Sequence, residues 1–337
     1  MKNLFKVLLL SAVAAAAHAT PDISGTYDVG TLTPLERPEQ FGDALYLTPE
    51  QAQAMTDRIQ SIKDRDAARS DPNRGAPTGR RVGGYNFFWL DVGSTPTLVD
   101  GKFRTSIISR PANGRRPPMN ETGQSRLDGL LNAWTIVWRD PDPSVGKNDG
   151  TAWWLAEGGG PYDHLEQRPL AERCIIGSRS TAGPPMLPNL YNNHKRIIQT
   201  PDHVMILTEM NHDARVIRLG GQHRPEALRT WLGDSVGSWD GDSLKVVTKN
   251  FTDTPALSGA DRNLVVHETF TMLADGNLSY AFEVHDPTVW DESWGGEYTW
   301  QASTGKVYEY ACHEGNYALG NIMRGARQLE GAAAGGE

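Results

Sequence analysis

The stretch that decides the fold lies at residues 263–285 and reads NLVVHETFTMLADGNLSYAFEVH. Two runs of alternating apolar and polar residues flank a turn, which is the pattern of a β-hairpin. A two-residue loop would set Phe270 opposite Ala281 and mix the apolar face of one strand with the polar face of the other. A three-residue loop with Gly276 in the left-handed conformation pairs Phe270 with Tyr280 and keeps the apolar residues on one face. We therefore predict the second register.

One residue of this hairpin breaks the apolar pattern. In the predicted register Glu268 lies on the apolar face opposite Phe282, whereas His267 faces Glu283 on the other side. A buried carboxylate is costly unless it is paired or protonated. Glu268 is therefore expected to have either a buried partner or a function.

Strand-like runs continue on both sides of the hairpin, separated by short turns. They occupy residues 195–200, 203–210, 214–219, 243–250, 297–302 and 306–312. About eight successive antiparallel strands must protect their edges, and closure into a barrel is the simplest solution. The sequence predicts a mainly β protein, an antiparallel meander closing into a lipocalin-like barrel over residues 151–330, with a β-sandwich as the alternative.

Residues 20–150 form a different region, which we predict to be an N-terminal extension. Thr48 suits a helix N-cap, Pro49 the first helical position and Gln51 a capping box, so the pattern predicts a helix over residues 49–68. Short strands are expected at 85–91 and 102–109, with Asp100-Gly101 as a hairpin signal.

Two further segments are predicted from composition. Residues 139–151 are rich in Asp, Pro and Gly and mark a candidate domain boundary. The Gly/Ala-rich residues 331–337 are expected to be a disordered tail.

The first nineteen residues have the three parts of an export signal. Basic Lys2 and Lys6 precede an apolar run at 7–17, and Ala17-His18-Ala19 fits a cleavage site before Thr20. The run is too short to span a bilayer, and no later stretch is apolar and long enough to do so. We expect a cleaved signal peptide at 1–19 and a periplasmic or secreted protein.

Charge and cysteine content narrow the class of protein. The net charge of −8 and the pI near 5.6 argue against nucleic acid or anionic lipid as partners. The two cysteines, Cys174 and Cys312, are expected to form a disulfide in an oxidising compartment. The alternative is a free nucleophilic cysteine beside His313.

The strongest cluster of reactive residue types is YEYACHEGNY at residues 308–317. Strand alternation would put Tyr308, Tyr310 and Cys312 on one face and let His313 and Glu314 emerge at the strand end. The alternative is a polar network that fixes the C-terminal segment to the barrel.

These residues lead to a candidate site at the barrel mouth. His313 and Glu314 are expected to transfer protons, with Glu268 or Glu209 as a carboxylate of raised pKa. The predicted substrate-binding residues are Tyr308, Tyr310, His212, His285 and Trp239.

Two common catalytic motifs were tested against the sequence. Residues Gly233–Gly237 match G-x-S-x-G, but no helix pattern follows Ser235, so a turn that carries Trp239 into the core is favoured over a nucleophile elbow. The histidines show no compact metal-binding signature.

Three strings resemble a group of exported bacterial proteins described as hypothetical. They are Arg104-Thr105-Ser106, the stretch GDSVGSWDGDSL at 233–244 and YEYACHEGNY at 308–317. The resemblance covers most of the chain after residue 19 and implies export and a β-rich fold, with no activity to carry over.

The sequence thus supports three functional hypotheses. The first is a periplasmic, cofactor-independent acid/base enzyme, a hydrolase or lyase, that acts on a small apolar or aromatic molecule in a barrel pocket. The second is a binding protein that uses the same pocket without turnover. The third is a metal-dependent hydrolase, which requires His and carboxylate ligands around one ion.

Overall fold

The computed structural model describes residues 20–67, 69, 73, 75, 90–135, 162–177, 180–254, 257 and 259–334. The predicted signal peptide, most of the predicted strand at 85–91 and the predicted boundary at 139–151 lie outside these ranges. Within them, no helix combines the length and the apolar character needed to cross a membrane.

Twelve strands and three α-helices are seen in the described residues. The strands are β1 (Gly25–Asp28), β2 (Leu98–Val99), β3 (Lys102–Phe103), β4 (Ile108–Arg110), β5 (His194–Gln199), β6 (His203–Thr208), β7 (Ala214–Leu219), β8 (Asp234–Asp240), β9 (Ser243–Lys249), β10 (Val265–Met272), β11 (Leu278–His285) and β12 (Trp294–Ala302). The helices are α1 (Pro49–Ala67), α2 (Glu121–Thr135) and α3 (Ala318–Ala334).

Nine of the strands close into a barrel. Strands β5 to β12 follow one another around the sheet, and β1 pairs with both β5 and β12 to complete the ring. Strand β4 adds to β12 outside the ring, and β2 pairs with β3 in a separate hairpin. The predicted mainly β fold and its barrel closure are confirmed.

The hairpin at 263–285 has the predicted register. Phe270 lies opposite Tyr280, Glu268 opposite Phe282 and His267 opposite Glu283. Gly276 adopts φ +83°, and its N–H donates to the carbonyl of Leu273. The left-handed glycine therefore sets the strand pairing, as expected.

The structure corrects several details of the predicted barrel. It is not purely antiparallel, because β7 and β8 run parallel. Strand β8 occupies residues predicted to form a turn, and residues 306–312, predicted as a strand, have no regular structure.

The two ends of the chain also differ from expectation. Strand β1, part of the predicted N-terminal extension, belongs to the barrel. Helix α3 extends to Ala334, so residues 331–334 are helical rather than disordered.

Helix α1 begins as the sequence predicts. The side-chain oxygen of Thr48 accepts from the Gln51 backbone N–H, and the side chain of Gln51 accepts from the Thr48 N–H, at 3.2 and 2.8 Å. This reciprocal pair is a capping box.

The barrel interior is occupied by part of its own chain. Residues 180–187, here called the plug, are buried along their whole length. Met186 is held at both backbone groups: its N–H donates to the Tyr280 hydroxyl at 2.8 Å, and its carbonyl accepts from the Tyr298 hydroxyl at 2.7 Å. Lys195 donates to the carbonyl of Thr181 at 2.6 Å. The plug and the inward-facing aromatic residues therefore fill space that a lipocalin-like barrel would offer to a ligand.

Candidate functional site

A pocket of about 320 Å³ lies at one end of the barrel, beside the turn at 209–213 that joins β6 to β7. The residues that line it come from the segment before the plug, from the link between the plug and β5, from this turn, and from the chain between β12 and the middle of α3. They are Ala171, Glu172, Cys174, Ile176, Gly177, Tyr191, Met210, Asn211, Tyr310, Cys312, Asn316, Ala318, Leu319 and Ile322. None belongs to a barrel strand, so the pocket is not formed by the strand ends that were predicted to build a site at the barrel mouth.

The disulfide forms part of the pocket wall. Cys174 and Cys312 are bonded, with their Cα atoms 5.8 Å apart, which confirms the predicted pairing and excludes the free-thiol alternative. The Tyr308 N–H also donates to Glu209 at 3.0 Å. Together these contacts fix the segment after β12 across the end of the barrel.

Two residues of the pocket lining have a left-handed backbone conformation. Cys174 and Asn211 line it with φ values of +56° and +58°, and the neighbouring His212 has φ +44°. Asparagine tolerates the left-handed region better than most residues, but each such residue costs on the order of 1 kcal/mol. Strained residues that persist in a fold cluster at ligand-binding and active sites.

Two polar side chains of the lining have oxygens that accept no hydrogen bond from the described residues. Arg168 donates to Oε2 of Glu172 from Nε at 2.9 Å and from Nη2 at 2.7 Å, which leaves Oε1 without a donor. The amide of Asn211 donates from Nδ2 to Asp213 and to the carbonyl of Cys174, both at 3.4 Å, and its Oδ1 has no donor. The lining therefore offers acceptors for a ligand that brings its own N–H or O–H.

Gly177 separates the pocket from buried charges. Its N–H donates to Oδ2 of Asp213 at 2.7 Å, and burial raises the pKa of that carboxyl. A Cβ at Gly177 would lie 2.3 Å from Oγ1 of Thr181, so any larger residue would displace the plug.

Behind this wall lies Lys195, which is 1% exposed. Burial lowers the pKa of its amine to about 7, against the opposing influence of Asp213 and Glu209. Its nitrogen donates to the Thr181 carbonyl and, at 3.4 Å, to the Thr208 hydroxyl. No carboxylate of the described residues lies within 4.0 Å of it. A lysine that is buried without an ion pair favours the neutral amine.

Glu209, at the end of the barrel, accepts hydrogen bonds from His194 and from the backbone of Tyr308. Burial favours its protonation, but hydrogen bonds from His194 and from the Tyr308 N–H outweigh this effect, and the pKa of Glu209 is lowered. The hydrogen bond to Glu209 in turn raises the pKa of His194. Glu209 is thus an ionised anchor rather than the carboxylate of raised pKa that the sequence analysis expected.

Glu268, the other predicted acid, lies inside the barrel and has a complete set of partners. Arg215 donates to both carboxylate oxygens, from Nη1 to Oε1 at 2.9 Å and from Nη2 to Oε2, and the Tyr280 hydroxyl donates to Oε1 at 2.8 Å. Ser235, in β8, accepts from Arg215 at 3.0 Å. The buried partner, one of the two expected explanations, is therefore present, and Ser235 belongs to the same network.

The remaining predicted catalytic residues lie elsewhere. His313 and Glu314 are exposed on the irregular segment between β12 and α3. The structure therefore does not bring His313, Glu314, Glu268 and Glu209 together, because residues 306–312 do not form the strand that would have aimed them at the barrel mouth.

The predicted substrate-binding residues are also dispersed. Tyr310 lines the pocket, whereas Tyr308 is 68% exposed. His212 and His285 are exposed, and Trp239 packs against the outer part of the core. Only Tyr310 of these five contributes to the described pocket.

Asn211 and Glu172 were not among the site residues predicted from the sequence. An asparagine in the short turn between two predicted strands was a usable signal, because this residue type favours left-handed turn positions. Nothing comparable marked Glu172, which is held by Arg168.

The hypothesis of a metal-dependent hydrolase has no candidate site among the described residues. In the ranges that the structure describes, no three His, Cys, Asp or Glu side chains are grouped closely enough to hold one ion.

Comparison with models of protein families and with curated proteins finds no match to this chain.

Proposed function

We propose that this protein is an exported binding protein for a small, largely apolar, uncharged molecule, held in the pocket at the end of the barrel. The observation that carries the proposal is the pocket itself. Its volume of about 320 Å³ and its mainly apolar lining with a few polar groups are typical of small-molecule sites.

Charge balance supports an uncharged ligand. Glu172 is the charged side chain in the lining, and Arg168 neutralises it. The apolar contacts come from Ile176, Met210, Leu319 and Ile322, and the disulfide adds a further non-polar surface.

Rigidity supports binding. The disulfide and the bond from Tyr308 to Glu209 hold the wall of the pocket in place before a ligand arrives, which reduces the entropy lost on binding. The disulfide also fits an oxidising compartment, in agreement with the proposed export.

Binding is favoured over acid/base catalysis because of where the ionisable groups lie. Glu268 is neutralised inside the barrel, and His313 and Glu314 are exposed to solvent. An acid/base mechanism requires such groups within hydrogen-bond reach of one reacting atom.

The proposal is tested by filling the pocket. We expect Ile322→Trp to weaken binding of the uncharged fluorophore N-phenyl-1-naphthylamine by about 10-fold or more, because the larger side chain occupies the site. Leu329→Trp, on the same helix at a residue 68% exposed, is the matched control and should bind as the parent does. Circular dichroism confirms that both variants fold.

Equal affinity of the parent and Ile322→Trp would place the fluorophore elsewhere and refute the proposed site. Absence of binding to the parent would refute the proposed ligand class.

A further inference from the structure

The side-chain atoms of the pocket lining that lack a hydrogen-bond partner among the described residues are acceptors. Oδ1 of Asn211 and Oε1 of Glu172 both accept no hydrogen bond from the described residues. The third side-chain polar group whose bonds are given, Asn316, is satisfied: its Nδ2 donates to the Cys312 carbonyl at 3.1 Å and its Oδ1 accepts from the Ala318 N–H at 3.1 Å. The lining can therefore accept hydrogen bonds from donors on a ligand.

Asn211 is largely buried, but its unpaired acceptor is not sealed off. The residue is 5% exposed, and Oδ1 is not among the fully buried side-chain atoms that lack a partner. A ligand that supplies a donor can therefore reach this oxygen from the pocket that Asn211 lines.

The backbone holds the amide in this position. Asn211 has φ +58° and ψ +16°, and Met210 and Asn211 are both buried within the turn. Asp213 fixes the other side of the turn by accepting from Gly177. The amide is thus presented to the pocket by a strained turn that its neighbours hold in place.

We infer that Asn211 determines ligand specificity, assisted by Glu172, and that the ligand class is a small apolar molecule carrying a hydroxyl or N–H donor. This inference rests on the proposed function and names the chemistry of its ligand. The Asn211 carbonyl oxygen accepts from the donor, Oε1 of Glu172 provides a second acceptor, and the apolar body packs against Ile322 and the disulfide. An ether or hydrocarbon of similar shape leaves both acceptors unpaired and binds more weakly.

The test compares 2-naphthol with 2-methoxynaphthalene by isothermal titration calorimetry on the chain from Thr20 onward. The two probes share the ring system, and only the first can donate. We expect the parent to bind 2-naphthol about 10-fold more tightly. In Asn211→Gly this ratio should fall to below about 3-fold, because the acceptor is gone.

Glycine is the chosen replacement because it adopts the left-handed backbone at no steric cost, so the turn keeps its conformation. His212→Gly is the matched control: its position is also left-handed, at φ +44°, but its exposed side chain does not line the pocket. This variant should keep the ratio of the parent.

The outcomes separate the two claims. Equal binding of both probes by the parent, or an unchanged ratio in Asn211→Gly, overturns the inference and leaves the binding function intact. If neither probe binds the parent, the proposed function fails and the inference fails with it.

Discussion

Glu268 inside the barrel and Asn211 at the pocket beside its end differ in how completely their side-chain oxygens are paired. Inside, the oxygens of Glu268 are paired with Arg215 and Tyr280. At the end, Asn211 and Glu172 retain oxygens without donors. The carboxylate in the apolar core attracted attention in the sequence, yet its charge is neutralised there.

The difference teaches that burial alone does not identify a functional residue. A buried polar group whose hydrogen bonds are complete contributes to the fold, and removing one partner leaves the other unpaired. A polar group beside a pocket that keeps an unpaired acceptor can still accept a hydrogen bond from a ligand. The following predictions test this contrast.

The largest effect is expected inside the barrel. Glu268→Ala should lower the free energy of unfolding by about 3–5 kcal/mol, because it leaves Arg215 as an unpaired buried charge. Urea denaturation measures the change. The control is His267→Ala, on the exposed face of the same strand, which should change stability by less than about 0.5 kcal/mol. A loss below about 1 kcal/mol for Glu268→Ala would mean that the ion pair of Glu268 and Arg215 is screened by solvent rather than buried.

The free energy of unfolding should depend on pH through Lys195, which lies between the pocket and the interior of the barrel. Its pKa is about 7 in the folded protein and 10.5 when unperturbed, so between these values the unfolded chain binds a proton that the folded chain does not. Stability therefore rises with pH across this window, by up to about 1.4 kcal/mol per pH unit. The penalty is fully present below about pH 7 and is lost as pH rises toward 10.5.

Lys195→Met tests this prediction, since methionine fills similar space without a titrating group. Unfolding free energies of parent and variant at several pH values from 7 to 10 should show a shallower slope for the variant. Parallel slopes would indicate that Lys195 is protonated in the folded protein throughout that window.

The smallest effect is expected where the sequence pointed most strongly. His313→Ala should change stability by less than about 0.5 kcal/mol and alter affinity for N-phenyl-1-naphthylamine by less than about 2-fold, because the side chain is exposed and outside the pocket. Fluorescence titration and thermal denaturation measure both. A 10-fold loss of affinity with unchanged stability would show that His313 contributes to ligand binding.

The part of the fold that follows from local patterns was predictable. The register around Gly276 depends on alternation and one left-handed residue, and the start of α1 depends on Thr48 and Gln51. The disulfide followed from the presence of two cysteines in a chain that was predicted to be exported.

The site depends on contacts between distant segments, which no local pattern encodes. Alternation in residues 306–312 suggested a strand, but the disulfide and the bond from Tyr308 to Glu209 hold this segment across the barrel end instead. Strand β8 was missed because the residues that follow the G-x-S-x-G match, 238–242, were interpreted as a turn. In the fold, a Cβ at Gly237 would lie 2.9 Å from Ile217, so the glycine allows β7 and β8 to approach closely.

The plug also has a consequence for the order of assembly. Residues 180–187 precede β5 to β12 in the chain and contact three of those strands, β5 through Lys195, β11 through Tyr280 and β12 through Tyr298. The ring closes only when β12 pairs with β1, the last barrel strand with the first. During synthesis the plug therefore follows β1 but precedes every other strand of the ring, and the sheet can condense around it as each hairpin is added. The contacts of the plug with Tyr280 and Tyr298 can form only once β11 and β12, the last two strands of the ring, are in place.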